Sequence, residues 1–389
     1  MTICARLWQS ARRPQLPVLL LLLVAIVWGF FRTAHVLHVH WTLGADNGHD
    51  LSTHDLYSYY SIWFVLGHRD CADIALRESL YLPHTWLFFT PIFSLGWAVA
   101  RVLMFLINVA AVFYIWRRLS QLAGLQGIRR WLLLAFFWCW SAPGNVIGLG
   151  NLALVCLAAV MAAYPFASST NGVFLMFSAM KQSVVFPLYF YLLIKRSRVL
   201  ILPFATFALC GLAVLWWAHM GLVEGLMLPK YWVEHVSTWT AVDHTCLRRV
   251  LVLFIGNKLA LSVVMWLIWF TLFGITARFI KDPLVQLAAL LLLALLPTYH
   301  YAYDMILAVP TLALFLKRCR LVWPTLMTLS LALDPFRQLG KLLPAGPLRE
   351  TAFALQSPYL PTLILIFLGG LFYLEVRAPK KADAAQPFA

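Results

Sequence analysis

Apolar runs close to one membrane thickness follow one another along almost the whole chain, separated by short polar or basic breaks. A helix needs about 20 apolar residues to cross a hydrocarbon core of roughly 30 Å. The runs are continuously apolar and lack the short alternating segments of a transmembrane barrel. Helices are predicted over 16–36, 86–116, 131–148, 151–166, 199–218, 259–278, 284–299, 302–316, 321–333 and 358–376. The run 86–116 is too long for one straight crossing, and Pro91 and Gly96 divide it into a lead-in piece and a full span. The segment 172–194 is about one span long, yet basic clusters place both its ends on the same side, and Lys181 sits at its middle. Two half-helices meeting near Lys181 satisfy that parity. Broken elements persist in membranes only where they line a polar cavity or lie buried in protein. The plain alternative is a lysine at a helix end that snorkels to water.

Composition sharpens the class. Hydrophobic residues make up 62% of the chain and charged residues 12%, with a mean hydropathy of +0.81. Soluble domains carry roughly 25% charged residues, so this chain cannot cover itself with a water-facing surface. The reading is an all-α polytopic membrane protein: one integral membrane domain over 1–376, and a disordered cytoplasmic tail over 377–389. The net charge of +15 comes as short clusters between apolar runs, which marks topology rather than nucleic-acid binding. Arg12-Arg13, Arg117-Arg118, Arg129-Arg130, Lys195-Arg196, Arg278 with Lys281, and Lys317-Arg318 are therefore assigned to the cytoplasmic side. The run Leu16–Phe31 reads as an uncleaved first helix, since the residues after it are bulky and charged. The expected location is a bacterial inner (cell) membrane, multi-pass, with the site on the outer side. The seven cysteines show no metal-ligand spacing. Cys71 and Cys246 fall in outer segments, where a disulfide is chemically allowed, but nothing in the sequence fixes their separation.

Polar chemistry gathers in the outer segments 37–85, 219–258 and 334–357 and at the outer helix ends, which carry Asn151, His300 and Asp304. The stretch Ser52-Thr-His-Asp-Leu-Tyr-Ser-Tyr-Tyr60 places an acid ahead of three tyrosines. Tyr57, Tyr59, Tyr60, Trp63 and Phe64 fit an amphipathic helix lying at the headgroups. Asp55 then has two readings. It caps that helix and complements its dipole, or it serves as a general base at the water–membrane boundary. The unevenly spaced His49, His54, Asp46 and Asp50 read as solvated or capping groups, and neither a metal nor another cofactor is expected.

The order of motifs resembles a known family. Asp55-Leu56-x-x-Tyr59-Tyr60, then Gly67, Tyr81-x-Pro83 and Pro91, is similar to the first outer loop and second helix of the polyprenol-phosphate-mannose-dependent mannosyltransferases, glycosyltransferase family 87. Gly148-Leu149-Gly150-Asn151 resembles the family's Gly-Gln-x-Asn turn, with Leu149 where glutamine is usual. Asn171-Gly172 through Lys181 to Pro187 resembles its small-residue helix ending in lysine and proline. Asp243-His244-Thr245-Cys246-Leu247 stands in the place of an Asn-Gln-Ser-Leu motif, and Pro297-Thr298-Tyr299-His300-Tyr301 resembles its late His-Tyr motif. The resemblance spans residues 16–316 in order.

It implies a type-C glycosyltransferase-like helical bundle with about 10–12 membrane segments and an outward-facing cavity. It implies an inverting transfer of a hexose, mannose in that family, from a polyprenyl-phosphate sugar to a glycolipid or glycan acceptor of the cell envelope. Asp55 would act as general base. Lys181, Arg248, Arg249 and His300 are the candidate cations for the leaving lipid phosphate, and Tyr59, Tyr60, Asn151 and Asp304 would help bind substrate. Two other classes stay open: a membrane transporter or flippase gated at Lys181, and an envelope polysaccharide polymerase or ligase.

Overall fold

The computed structural model describes residues 54–79, 81–237, 246–297, 302–333 and 335–377, together with residues 23, 24, 27, 31 and 34. Among these residues the chain is helical with no strand. Most of the predicted first helix and all of the tail beyond Arg377 lie outside the described residues, as do His300, Asp243 and His244. Among the described residues five helical stretches are long and apolar enough to cross a membrane: Trp97–Leu122, Ser169–Ile194, Arg198–Trp217, Leu259–Phe279 and Pro358–Arg377. A bent pair over 127–149 raises this to six. The chain is an integral membrane protein by this measure, and shorter apolar helices lie over Ala153–Ala163, Pro283–Ala294 and Val322–Ala332.

Where described helices differ from the predicted ones, the reason is physical. The predicted helix 86–116 is divided as the sequence indicated, into α3 (His84–Phe93) and α4 (Trp97–Leu122), at Gly96 with φ +87°. The predicted 131–148 is instead two helices, α5 (Gly127–Cys139) and α6 (Ser141–Leu149), bent by 57°. Pro143 lacks the N–H that would bond back into α5, so the helix restarts with proline in its first turn. Pro310 acts alike: residues Ala302–Ala308 form a 3-10 helix, and α15 (Val309–Arg318) begins around the proline. The predicted 151–166 shortens to α7 (Ala153–Ala163), 11 residues or about 16 Å. α14 (Pro283–Ala294) is buried from Leu284 to Ala294, as a helix apolar on all faces must be when it forms the centre of a bundle.

Two ends of the body are identifiable. At one end Lys317 Nζ donates to Gly124 O at 3.0 Å and Arg129 Nη1 to Lys317 O at 3.0 Å. Arg118 donates to Met161 O and Tyr164 O, Arg318 pairs with Asp282, and Glu375 accepts from the Lys281 backbone N–H. The basic clusters near 118, 129, 281 and 318 thus share one end, as the charge pattern required. At the other end, α1 (His54–Leu66) meets α10 (Ile201–Trp217): Trp217 Nε1 donates to Leu66 O at 2.7 Å, and Arg69 lies over the Trp216 and Trp217 rings.

The segment 172–194 folds back on itself. α8 (Gly172–Ser178) passes through a 3-10 turn, Ala179–Lys181, into α9 (Gln182–Ile194). Tyr189 Oη donates to Leu175 O at 2.6 Å, fourteen residues earlier. A straight helix would hold those residues about 21 Å apart. A Cβ on Gly172 would lie 2.5 Å from Val199 O, so the chain leaves and returns at one level. The stretch Ser169–Ile194, span-like in length, is therefore a hairpin with Lys181 at its tip. Cysteines introduced at Ser169 and Arg198 in a cysteine-free background should both react with an impermeant thiol reagent from the same side of sealed vesicles. Labelling from opposite sides would restore the straight span.

The tyrosine-rich stretch packs more of its rings than the sequence indicated. It forms α1, but Leu56 and Tyr59 are buried, and Tyr60 packs on Trp63, Phe93 and Trp97. Only Tyr57 and Phe64 of the five aromatics are exposed. The helix docks on α3 through its rings, with aromatic edge-and-face contacts between them. Cys71 is exposed and Cys246 buried, and both are free thiols.

Candidate functional site

Four breaks in helix geometry meet at one place. They are the start of α1, the turn between α6 and α7, the hairpin tip, and the 3-10 helix before α15. Each contributes one polar side chain: Asp55, Asn151, Lys181 and Asp304. Asn151 links them. Its Nδ2 donates to Asp55 Oδ2 at 2.7 Å and approaches Tyr59 Oη at 3.4 Å. Its Oδ1 accepts from Lys181 Nζ at 3.2 Å and from the Ala153 backbone N–H at 2.9 Å. With a carboxylate on one side and two N–H donors on the other, the amide can point only one way. Lys181 Nζ also meets Asp304 Oδ1 at 2.5 Å. Asn151 and Asp304 are each 1% exposed and Lys181 8%, whereas Asp55 is half-buried.

Local chemistry explains the construction. Gly150 closes α6 in the left-handed region, φ +66°, and a Cβ on it would lie 2.6 Å from Leu56 Cβ. Glycine there lets α1 touch the turn that carries Asn151. Gly150→Ala is expected to destabilise the fold by about 1–3 kcal/mol and to disturb the Asp55–Asn151 contact; thermal unfolding of the variant checks this. The hairpin tip is held in turn by Thr85 Oγ1, which donates to Met180 O at 3.4 Å. Lys181 itself has non-helical backbone angles, φ −120° and ψ 83°, so its ammonium leaves the hairpin tip rather than lying along a helix face.

Tyr81 joins the cluster, although the sequence offered it only as part of a motif. Its hydroxyl and that of Tyr59 share a hydrogen bond at 2.6 Å, and the rings meet edge to face. Burial, with the neighbouring tyrosine and the Asp55 charge, pushes the Tyr59 phenol well above its usual pKa. Burial and Asp55 do the same for Tyr81. Both phenols therefore stay protonated at any working pH and act as hydrogen-bonding groups, not as bases.

Not every predicted residue converges. Tyr60 sits in the α1–α3 aromatic contacts. Arg248 and Arg249 lie on α12 (Arg248–Leu251), which hangs on the end of α14 through the Leu247 N–H to Leu296 O bond at 2.8 Å. Both belong to the described residues and stand near the end of α14. His300 lies outside those residues. Among the described residues no group of three His, Cys, Asp or Glu side chains is placed to hold a metal.

Lys181 stands at the end of α8 and its 3-10 turn, about 15 Å above the level of Gly172 by helix rise. α4, with 26 residues, measures about 39 Å. The cluster thus lies above the basic end, at the start of α1, whose Tyr57 and Tyr60 rings pack on Trp97 at the far end of α4. Beside the hairpin an apolar groove of about 400 Å³ opens between α9, α10 and α13 (Lys258–Phe279), lined by Phe186, Tyr189, Phe190, Phe204, Trp266 and Phe270.

Comparison with protein-family models, curated proteins and solved structures finds no match for this chain. The family resemblance therefore rests on the sequence motifs.

Proposed function

We propose that the chain is a membrane glycosyltransferase that moves a hexose, mannose by the resemblance, from a polyprenyl-phosphate sugar to a lipid- or polymer-linked acceptor on the non-cytoplasmic face. The observation that carries the reading is the Asp55 carboxylate, half-buried and held at 2.7 Å by an amide that also contacts a buried ammonium. Such an arrangement holds one carboxylate oxygen in place on a half-buried group of the chemical type that accepts a proton.

In the reaction, Asp55 takes the proton of an acceptor hydroxyl. The hydroxyl oxygen bonds to the anomeric carbon while the bond from that carbon to the phosphate oxygen breaks on the opposite face, inverting the centre. The bonding pair leaves with the lipid phosphate as an anion, and Asp55 returns its proton to water. Lys181 is already balanced by Asp304, so its charge alone is not enough for the phosphate. Arg248, Arg249 and His300 are the further cations the reading calls upon. The groove beside the hairpin is apolar enough for an isoprenoid chain.

A transporter draws support from one specific feature, the buried Lys181–Asp304 pair at a hairpin tip, since intramembrane ion pairs mark transport pathways as well as catalytic sites. Membranes carrying the protein, supplied with labelled polyprenyl-phosphate mannose or with labelled sugar nucleotides, should pass label to an acceptor only from the lipid-linked donor. Equal use of sugar nucleotides would contradict the donor class.

A further inference from the structure

A second cavity, of about 300 Å³, lies at the basic end of the body, far from the Asp55 cluster. Its walls include Leu122, Tyr164, Asp282, Leu284, Lys317 and Arg318. It forms where α4, α7 and α15 end and α14 begins.

The charges around it are unequal. Arg118, Arg129, Lys317 and Arg318 gather there against Asp282 and Glu375. Both acids are already engaged. Asp282 caps α14 by accepting from the Leu284 and Val285 N–H groups at 2.9 and 3.1 Å, and its second oxygen holds Arg318. Glu375 accepts from the Lys281 and Asp282 N–H groups.

A purely structural account assigns the cations to the helix ends, where they satisfy orphan carbonyls. That account covers one N–H of Lys317, which donates to Gly124 O, and one nitrogen of Arg318. An ammonium has three donors and a guanidinium five. The surplus donors line a hollow whose other walls are Leu122, Ala123, Leu284, Leu314 and the engaged Asp282 carboxylate, beside Tyr164, at the end that the charge pattern assigns to the cytoplasmic leaflet. Basic pockets between membrane helices on that side suit anionic headgroups, and charge-assisted bonds to phosphate oxygens are the strong ones.

We propose that this cavity binds the phosphate of an anionic phospholipid headgroup, with Lys317 and Arg318 on the phosphate, Tyr164 donating its hydroxyl, and Leu122, Leu284 and Leu314 against the start of the acyl chains. The site is independent of the transfer reaction and stabilises the basic end by tying α4 and α7 to α14 and α15.

The test is thermal unfolding of the purified full chain in neutral detergent, titrated with dioctanoyl phosphatidylglycerol, dioctanoyl phosphatidylcholine or inorganic phosphate. Phosphatidylglycerol should raise Tm by about 3–6 °C near saturation, with little change from the other two. Lys317→Gln should remove at least half of that shift, while Arg198→Gln, an exposed cation outside the cavity, should keep it. Tyr164→Phe leaves every capping bond in place and should weaken phosphatidylglycerol binding about fivefold, which keeps the question answerable if Lys317→Gln does not fold. Equal shifts from phosphatidylcholine or from inorganic phosphate would overturn the lipid-headgroup assignment. So would a full shift in both Lys317→Gln and Tyr164→Phe.

Discussion

Asp55→Asn lowers sugar transfer by about 10²–10⁴-fold, the usual contribution of a positioned general base, while the protein stays folded. The fold survives because the Asn151 Nδ2 donor keeps an acceptor: the new amide oxygen takes the place of Asp55 Oδ2, now 2.7 Å away. Size is unchanged, and Leu56 and Tyr59, which bury the helix start, are untouched. What is lost is the oxygen able to hold the acceptor's proton. Transfer assays with purified variant, alongside its thermal unfolding curve, read the two effects separately. Wild-type turnover in Asp55→Asn would leave Asp55 with a structural role only.

The second large effect is at Lys181, and the structure changes what substitution there should do. The sequence treated this lysine as a phosphate ligand awaiting its partner. In the structure it is held by Asp304 at 2.5 Å and by Asn151, with side-chain exposures of 10% for the lysine and 2% for the acid. Lys181→Met therefore leaves a carboxylate buried without its cation, which costs about 3–5 kcal/mol, and it removes one of the two donors that orient the Asn151 amide. Transfer and stability should fall together. Replacing the pair by apolar residues, Lys181→Met with Asp304→Leu, should recover most of the stability, since buried ion pairs are often matched by hydrophobic packing of similar volume. It should not recover transfer. Restored activity in the double variant would remove the pair from the mechanism and leave it as packing.

Much of the hairpin was legible in the sequence. An intramembrane lysine between two basic clusters, in a segment too short for two crossings, allows few other solutions. The division of 86–116 was legible as well, because Gly96 adopts a backbone angle that suits glycine. The bend between α5 and α6 was not, since residues 131–148 read as one apolar run and only Pro143 marks the restart. The same holds for α15, where Pro310 is the only signal of the 3-10 lead-in. At the site, Asp55, Asn151, Lys181 and Asp304 were all named from the sequence, but their arrangement was not. Hydropathy says which residues are out of place in a membrane; it does not say which pairs with which. The burial of Tyr59 was not legible for a related reason. An aromatic near a membrane boundary fits the headgroup belt and a buried ring contact equally well, and here Tyr81 and Phe89 supply the contact.

Transfer and transport separate most directly in sealed vesicles containing the purified protein, polyprenyl-phosphate mannose labelled in the sugar, and a membrane extract as acceptor source. The account requires label to leave the donor lipid and appear, mole for mole with free polyprenyl phosphate, on a new glycosidic linkage, and requires Asp55→Asn to stop both. Donor that crosses the bilayer with its sugar still attached, and no new linkage formed, would contradict it.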